Sequence, residues 1–361
     1  MTLVIVMENF NGYETLMFEK LIKLGPNDNW SETIGKFPKL DIYYSQEYVN
    51  LFSDVEEGEP EAVYFENKNG KVFYPYIKRK IDIKEGYFDI ITPYGYGGPV
   101  VEGEQSVIKQ FYYHFKQYCI NNNIITETVR LHPLIKNDEY IKEVMEIDYI
   151  RKTTAVDLTL SLEEIRKNYT SNNKRNIKRA IKEGVEVFVS NNKDDIEIFM
   201  DLYDETMDRN NALSYYYFNS SYFYRQMEET LLSKSYLLLA RHNEQIIGGV
   251  LMLIGKEFAH YHLGASKTKY LSLRPNNLLF DFMVEFSKSL GLKKLHLGGG
   301  YQENDSLFKF KTSFTNDNNF NYYMCKNILN VNIYNELSKI VMNNFSFSGQ
   351  NNYFPIYRIK K

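Results

Sequence analysis

The stretch Glu257–Phe314, EFAHYHLGASKTKYLSLRPNNLLFDFMVEFSKSLGLKKLHLGGGYQENDSLFKFKTSF, decides how the rest of the chain is read. Glu257–Ala265 has the composition of a strand, a polar loop follows, Asn277–Leu290 repeats apolar residues at helical spacing, and Lys293–Leu297 is again a strand. That second strand runs into Gly298, Gly299 and Gly300. A strand-to-helix turn aims backbone N–H groups and the positive end of the helix dipole at whatever lies above the sheet. An anionic ligand belongs there.

The same order occurs upstream. EAVYFE, the turn Asn67–Gly70, KVFYPYIKRKI and YFDIITPYGYGGP supply three strands, Gln105–Ile120 a helix, and Ile125–Leu131 the strand after it. In the second half, Tyr236–Arg241 and Ile246–Gly255 form the hairpin that leads into Glu257. Strand, turn, strand, strand, loop, helix, strand thus appears twice, which predicts two copies of one α/β (α+β) unit with a boundary near Ile147–Arg151: residues 1–147 and 148–361. Gly12–Leu24 and Tyr43–Phe52, the latter entered through Ser45, are expected to be helices.

Composition narrows the function classes. The chain has 361 residues, enough for two cores, and a net charge of −3, which gives no overall pull toward nucleic acid or anionic membrane. Its two cysteines, Cys119 and Cys325, lack metal-ligand spacing, so neither a disulfide framework nor a metal site is expected. MTLVIVMENF lacks a basic n-region and no apolar run approaches a membrane span, so the expected location is the reducing cytoplasm, without stable membrane insertion. The aromatic content is high, with 31 Tyr and 24 Phe, and Tyr215-Tyr216-Tyr217-Phe218 is not explained by strand composition alone.

Between the copies, Leu160–Gly184 opens with a capping box, Ser161 and Glu164, and carries Lys174, Arg175, Lys178, Arg179 and Lys182 as one short helical region. These cations form either a solvated helix face or a phosphate-contacting surface. VEVFVS is then a strand and Asp194–Asn210 a helix.

KRNIKRAIKEGVEV, YDETMDRNNALSYYYF, HYHLGAS, RPNNLLFDF, GLKKLHLGGG and LFKFKTSF, in this order, resemble the FemAB family, the peptidoglycan-bridge aminoacyltransferases and their relatives in polysaccharide loci. The resemblance extends to YPYIKRKI and DIITPYGYGGP in the first half. It implies two GNAT-like acyltransferase domains in tandem, each a mixed, mostly antiparallel sheet flanked by helices. It further implies transfer of an acyl or aminoacyl group to an amino group of a cell-envelope precursor. The long helical arm that many peptidoglycan-bridge members insert in the second domain has no room at 161–182. Both acyl-CoA and aminoacyl-tRNA remain open as co-substrate, no cofactor is expected to be bound, and tRNA is a candidate partner.

No Ser/His/Asp order, nucleophile elbow, P-loop or dinucleotide fingerprint is evident, which favours direct attack on the donor over a covalent enzyme intermediate. Arg274, Asn276 and Asn277 around Pro275 either simply start a helix or hold a donor's pyrophosphate. Gly298, Gly299 and Gly300 either make a flexible turn or admit a ligand to the backbone. His260 and His262 are expected to share one face of a strand, with His262 the candidate base or positioning group and His296 second. Lys309 and Lys311 alternate with Phe308 and Phe310, as on an edge strand; by resemblance, Lys311 in Phe310-Lys311-x-x-Phe314 matches the family's active-site lysine. Arg209 with Tyr215 and Tyr216 is the candidate acceptor site, with Tyr94, Arg130 and His132 contributing from the first half unless their Pro- and Gly-rich setting is purely architectural. A non-enzymatic envelope-assembly protein on the same fold, and an RNA-binding module using 174–182, are the alternative readings.

Overall fold

The structure, a computed structural model, describes residues 2–5, 19–190, 192, 194–344 and 353–359. Its strands in chain order are β1 Thr2–Ile5, β2 Lys20–Leu24, β3 Gly58–Asn67, β4 Gly70–Lys80, β5 Phe88–Ile91, β6 Val100–Gly103, β7 Ile124–Arg130, β8 Asp148–Asp157, β9 Glu186–Val189, β10 Lys234–His242, β11 Gln245–Ile254, β12 Phe258–Ser266, β13 Lys294–Gly298 and β14 Asn319–Ile328. The chain divides into one unit of Met1–Ile150 with Tyr322–Lys361 and a second of Arg151–Asn321.

In the first unit the order is β1-β2-β3-β4-β5-β7-β14, with β6 also paired to β4. All pairs are antiparallel except β5 with β7, which is parallel across the helix Val107–Asn121. Ala62–Phe65 and Val72–Ile77 are buried without alternation because both faces of the sheet are covered. Val63, Phe65, Val72 and Tyr74 pack with Phe111 and Phe115 of that helix. The ring of Tyr64 stands edge-on to Phe37, and that of Phe73 edge-on to Trp30.

The second unit runs β8-β13-β12-β11-β10-β9. Here too the first three strands of the repeat are antiparallel and the strand after the helix Pro275–Ser289, β13, lies parallel to β12. The predicted duplication is therefore present as strand direction as well as strand order. Leu279, Phe280, Met283 and Val284 of this helix fill the core with Val250, Met252, Leu295 and Leu297.

Four expectations are corrected. The segment 319–361 does not belong wholly to the second unit, because Met324–Ile328 pair antiparallel with Thr126–Arg130 of β7, and Tyr334, Leu337, Val341 and Tyr357 close a small core over Ile81 and Ile125. Lys20–Leu24 is a strand paired with β3, not the end of a helix; residues 12–18 of that expected helix lie outside the described residues. Leu160–Gly184 is two helices, Leu162–Asn168 and Ser171–Lys182, because Tyr169 and Thr170 are extended and the Thr170 hydroxyl caps the second. Phe308–Lys311 is helical, within Ser306–Thr312, rather than an edge strand. The capping box at Ser161 and Glu164 and the Ser45 cap of Gln46–Val55 form as predicted. Among the described residues no helix is long and apolar enough to cross a membrane.

Candidate active site

β12 and β13 part company early. They pair at Phe258↔Lys294, Ala259↔Leu295 and His260↔His296, after which β12 continues to Ser266 and β13 to Gly298 without pairing to one another. Across β12 the register to β11 slips between Leu251↔Leu263 and Met252↔Tyr261, leaving His262 as the extra residue of a bulge. A bulge bends its strand and re-aims a side chain. The unit thus has an opening between two parallel strands, with His262 at its margin.

The bulge also removes the alternation on which a shared face for His260 and His262 rests. His260 is buried edge-on to His296, their ring centroids 5.5 Å apart. His262 instead holds the hydroxyl of Tyr222 at 2.6 Å through Nε2. Burial, and then the neighbouring His260, lower its pKa to about 3. His262 is therefore a neutral hydrogen-bonding group near pH 7, and a poor proton acceptor.

Lys311 touches both margins of this opening, Tyr261 of β12 and Gly299 just after β13. Its helix begins at Asp305, whose carboxylate accepts from the Phe308 N–H at 2.8 Å, and the turn of the helix puts Phe308 and Lys311 inside while Lys309 is exposed. Lys311 Nζ donates to the Gly299 carbonyl at 2.7 Å and sits 5.2 Å from the centre of the Tyr261 ring. Burial lowers its pKa to about 7; Asp305 opposes that shift and Arg151 adds to it. A buried lysine that exchanges its proton near neutrality fits a reacting centre better than an edge-strand guard.

The glycine loop is organised by charge. Arg151 Nη1 donates to the carbonyls of Gly300 and Tyr301, both at 2.7 Å. The Asp305 carboxylate accepts from the N–H groups of Tyr301 at 2.6 Å and Gln302 at 3.0 Å. Any Cβ at Gly300 would collide with that carboxylate, and one at Gly299 would stand 2.8 Å from the Lys152 carbonyl oxygen. Packing within the unit accounts for these two glycines. Gly298 is needed for its left-handed backbone, φ 74°.

At the start of the helix Pro275–Ser289, Arg274 is exposed and left-handed, φ 64° and ψ 39°, and its guanidinium has no partner among the described residues. Asn276 Nδ2 is 3.4 Å from Ser266 Oγ. Asn277 is buried and donates to Asn173 Oδ1 at 2.8 Å; Asn173 in turn donates to the Ser313 carbonyl at 3.3 Å. Asn277 therefore ties the helix Ser171–Lys182 to its own, a structural use in place of the expected ligand contact.

Arg209 is likewise occupied. It donates to the Ser266 carbonyl at 2.7 Å and Thr268 Oγ1 at 2.8 Å, with Thr206 Oγ1 at 3.3 Å, and so fixes the end of β12 rather than facing an acceptor. Tyr215 and Tyr216 are half-buried and edge-on to each other, 5.5 Å apart, in the short turn Ser214–Tyr216. Tyr216 is close enough to Tyr301 of the glycine loop for their hydroxyls to interact electrostatically. Leu213 and Tyr217 beside them are exposed.

In the first unit the candidates are architectural. His132 is fully buried; its Nε2 and Asp41 are 2.9 Å apart, and its Nδ1 accepts from the N–H groups of Leu134 and Ile135. That arrangement assigns the proton to Nε2. Arg130 donates to the Thr92 carbonyl at 2.6 Å and lies 3.8 Å from Glu56. Tyr94 stacks on Phe52, 5.6 Å between centroids.

Arg151, Asp305, Tyr222 and Tyr261 belong to the site and are not among the sequence candidates. Asp305 had a legible signal, an N-cap acid directly before a helical segment; Arg151 had none, since its partners are backbone carbonyls distant in sequence.

A model of an acetyltransferase (GNAT) domain matches residues 167–311, which contain this opening, the glycine loop and Lys311. Among solved structures the chain is similar to FemX, with a TM-score of 0.66 and 14% identity over 87% of this chain and 99% of that one. It is also similar to the C-terminal domain of a putative lysylphosphatidylglycerol synthetase from Agrobacterium fabrum, with a TM-score of 0.53 and 12% identity over 84% and 92%. A third is a conserved protein of unknown function from Bacteroides thetaiotaomicron VPI-5482, with a TM-score of 0.50 and 13% identity over 82% and 96%. No curated protein matches the sequence. At these identities the likeness is one of fold.

Proposed function

We propose that this chain, which has the FemAB-like tandem GNAT fold, transfers an acyl or aminoacyl group from a carrier to an amino group of a cell-envelope precursor by direct attack. The observation that carries the reading is the buried Lys311 beside the opening between β12 and β13, with its pKa lowered to about 7. In the reaction the acceptor's amine lone pair forms the new C–N bond, the carbonyl electrons move onto oxygen, and collapse expels the carrier with its bonding pair. The amine proton passes to solvent or to the leaving group. The Lys311 ammonium, held on the Gly299 carbonyl, keeps further N–H donors for the developing oxyanion.

The other groups take supporting roles. Exposed Arg274, with the Asn276 N–H at the start of Pro275–Ser289, would hold the carrier's phosphate. Neutral His262 with Tyr222 positions the acyl group or the amine at the bulge. Tyr215 and Tyr216 offer aromatic faces to a sugar or base of the acceptor. For the carrier, exposed Arg175, Lys178 and Lys182 on the helix that Asn173 anchors beside Asn277 support aminoacyl-tRNA over acyl-CoA. A fold relative named for lysylphosphatidylglycerol synthesis supports an aminoacyl donor as well.

The test offers a set of aminoacyl-tRNAs and acyl-CoAs with UDP-linked muropeptides and amino sugars, and reads acceptor mass by mass spectrometry. An acceptor heavier by one acyl group, lost in Arg274→Glu and Lys311→Met, is expected. Folded protein that transfers nothing from either carrier contradicts the reading and favours a non-enzymatic role.

A further inference from the structure

One carboxylate holds together two parts of the site that the chain could otherwise place independently. Asp305 Oδ2 takes the N–H groups of Tyr301 and Gln302, and Asp305 Oδ1 takes that of Phe308, so the same side chain closes the glycine loop and starts the helix bearing Lys311. That helix is only Ser306–Thr312, too short to hold itself, and depends on its cap. The successive carbonyls of Gly299, Gly300 and Tyr301 receive Lys311, Arg151 and Arg151 again. The loop therefore has the oxygens of Gly299, Gly300 and Tyr301 on cations and the N–H groups of Tyr301 and Gln302 on an anion, with Gly300 left bare so that the anion can approach.

We propose that Asp305 is a positioning residue that latches the 299–302 loop to the Lys311 helix, setting where the Lys311 ammonium stands and how readily it keeps its proton. That this serves catalysis rests on the acyl-transfer reading; the latch itself does not. The charged and titratable groups facing Lys311 are Asp305 from its own helix cap, Arg151 from β8 and the ring of Tyr261 from β12. Tyr301 flanks the carboxylate from the loop. Of these, Asp305 alone favours the charged form by opposite charge, so its removal lowers the Lys311 titration.

The experiment uses the full chain with 13C-labelled lysine side chains, the Lys311 resonance assigned by its loss in Lys311→Met, and follows its titration by NMR. In Asp305→Asn, the ratio of neutral to charged Lys311 at fixed pH is expected to rise about tenfold, equivalent to one pH unit, and the Tyr301 and Gln302 amides to lose hydrogen-exchange protection. Asp305→Ser separates the latch from simple helix capping, because a serine still accepts the Phe308 N–H. It is expected to shift the titration as Asp305→Asn does. An unchanged Lys311 titration in both variants, or a serine variant indistinguishable from the parent, overturns the proposal. If acyl transfer is absent from the parent protein while the titration still moves, the latch stands and the acyl-transfer reading falls.

Discussion

Replacing Lys311 with methionine is expected to abolish transfer and, at the same time, to stabilise the fold in a pH-dependent way. Lys311 is 6% exposed, and its pKa is lowered from 10.5 to about 7, first by burial. Below about pH 7 the folded and unfolded chains both carry this proton, so the folded state bears the full cost of the buried charge. Between about 7 and 10.5 the folded chain gives up a proton that the unfolded chain keeps, and stability from this group rises with pH. The gap between those values, at about 1.4 kcal/mol per pH unit, is on the order of 5 kcal/mol. The lost hydrogen bond to Gly299 returns only about 0.5–1.5 kcal/mol. Methionine keeps the length and the apolar stem. Urea unfolding of both proteins at about pH 6, 8 and 10 is expected to show the variant more stable by a few kcal/mol at the lowest pH, with the advantage shrinking as pH rises. A difference that does not change with pH, or a variant less stable at the lowest pH, is incompatible with a buried Lys311 that carries its charge only at a cost.

Other perturbations separate site from scaffold. Gly300→Ala drives a methyl into the Asp305 carboxylate; it is expected to cost about 1–3 kcal/mol and to disorder the loop, seen as faster amide exchange at Tyr301 and Gln302. Asn277→Ala leaves Asn173 Oδ1 without its donor and is expected to cost about 1–3 kcal/mol in unfolding experiments, with donor KM little changed. His262, with its pKa lowered to about 3, stays neutral across the working range; no rising limb of the kcat profile should follow an ordinary histidine titration near about 6.5, and the falling limb, at about 7, belongs to Lys311 and is lost with it. Tyr222→Phe, which removes the hydroxyl held by His262, is expected to reduce kcat without shifting the profile. Leu337→Ala is expected to loosen the small core of the first unit by about 2–5 kcal/mol, read as an earlier first transition in thermal unfolding.

Much of the architecture is written locally. The turn at Asn67–Gly70, the Ser161 capping box and the apolar spacing of Asn277–Leu290 are each decided by neighbours in sequence, and two occurrences of the same order expose the duplication. What is not legible depends on partners far along the chain. β14 has no local mark of pairing with β7, and a register slip at His262 cannot be read from alternation, since it breaks it. Phe308–Lys311 fits both a strand and a helix over so few residues; Asp305 as an N-cap decides it, and the helix then separates Lys311 from Lys309. Lys311 itself is recognisable only through the family resemblance. Arg209, Asn277 and His132 are polar residues in suggestive places whose hydrogen-bonding capacity turns out to be spent on the protein itself.

In the proposed reaction the donor's acyl group sits between β12 and β13 against Lys311. A crystal structure with a non-hydrolysable donor analogue, an amide-linked aminoacylamino-adenosine or a 2-oxoalkyl thioether of CoA, reads that position. The acyl carbonyl oxygen is expected within hydrogen-bonding distance of Lys311 Nζ, and the carrier's phosphate or ribose at Arg274 and the start of Pro275–Ser289. A donor bound elsewhere on the chain, with the opening beside His262 and Gly299 empty, would contradict it.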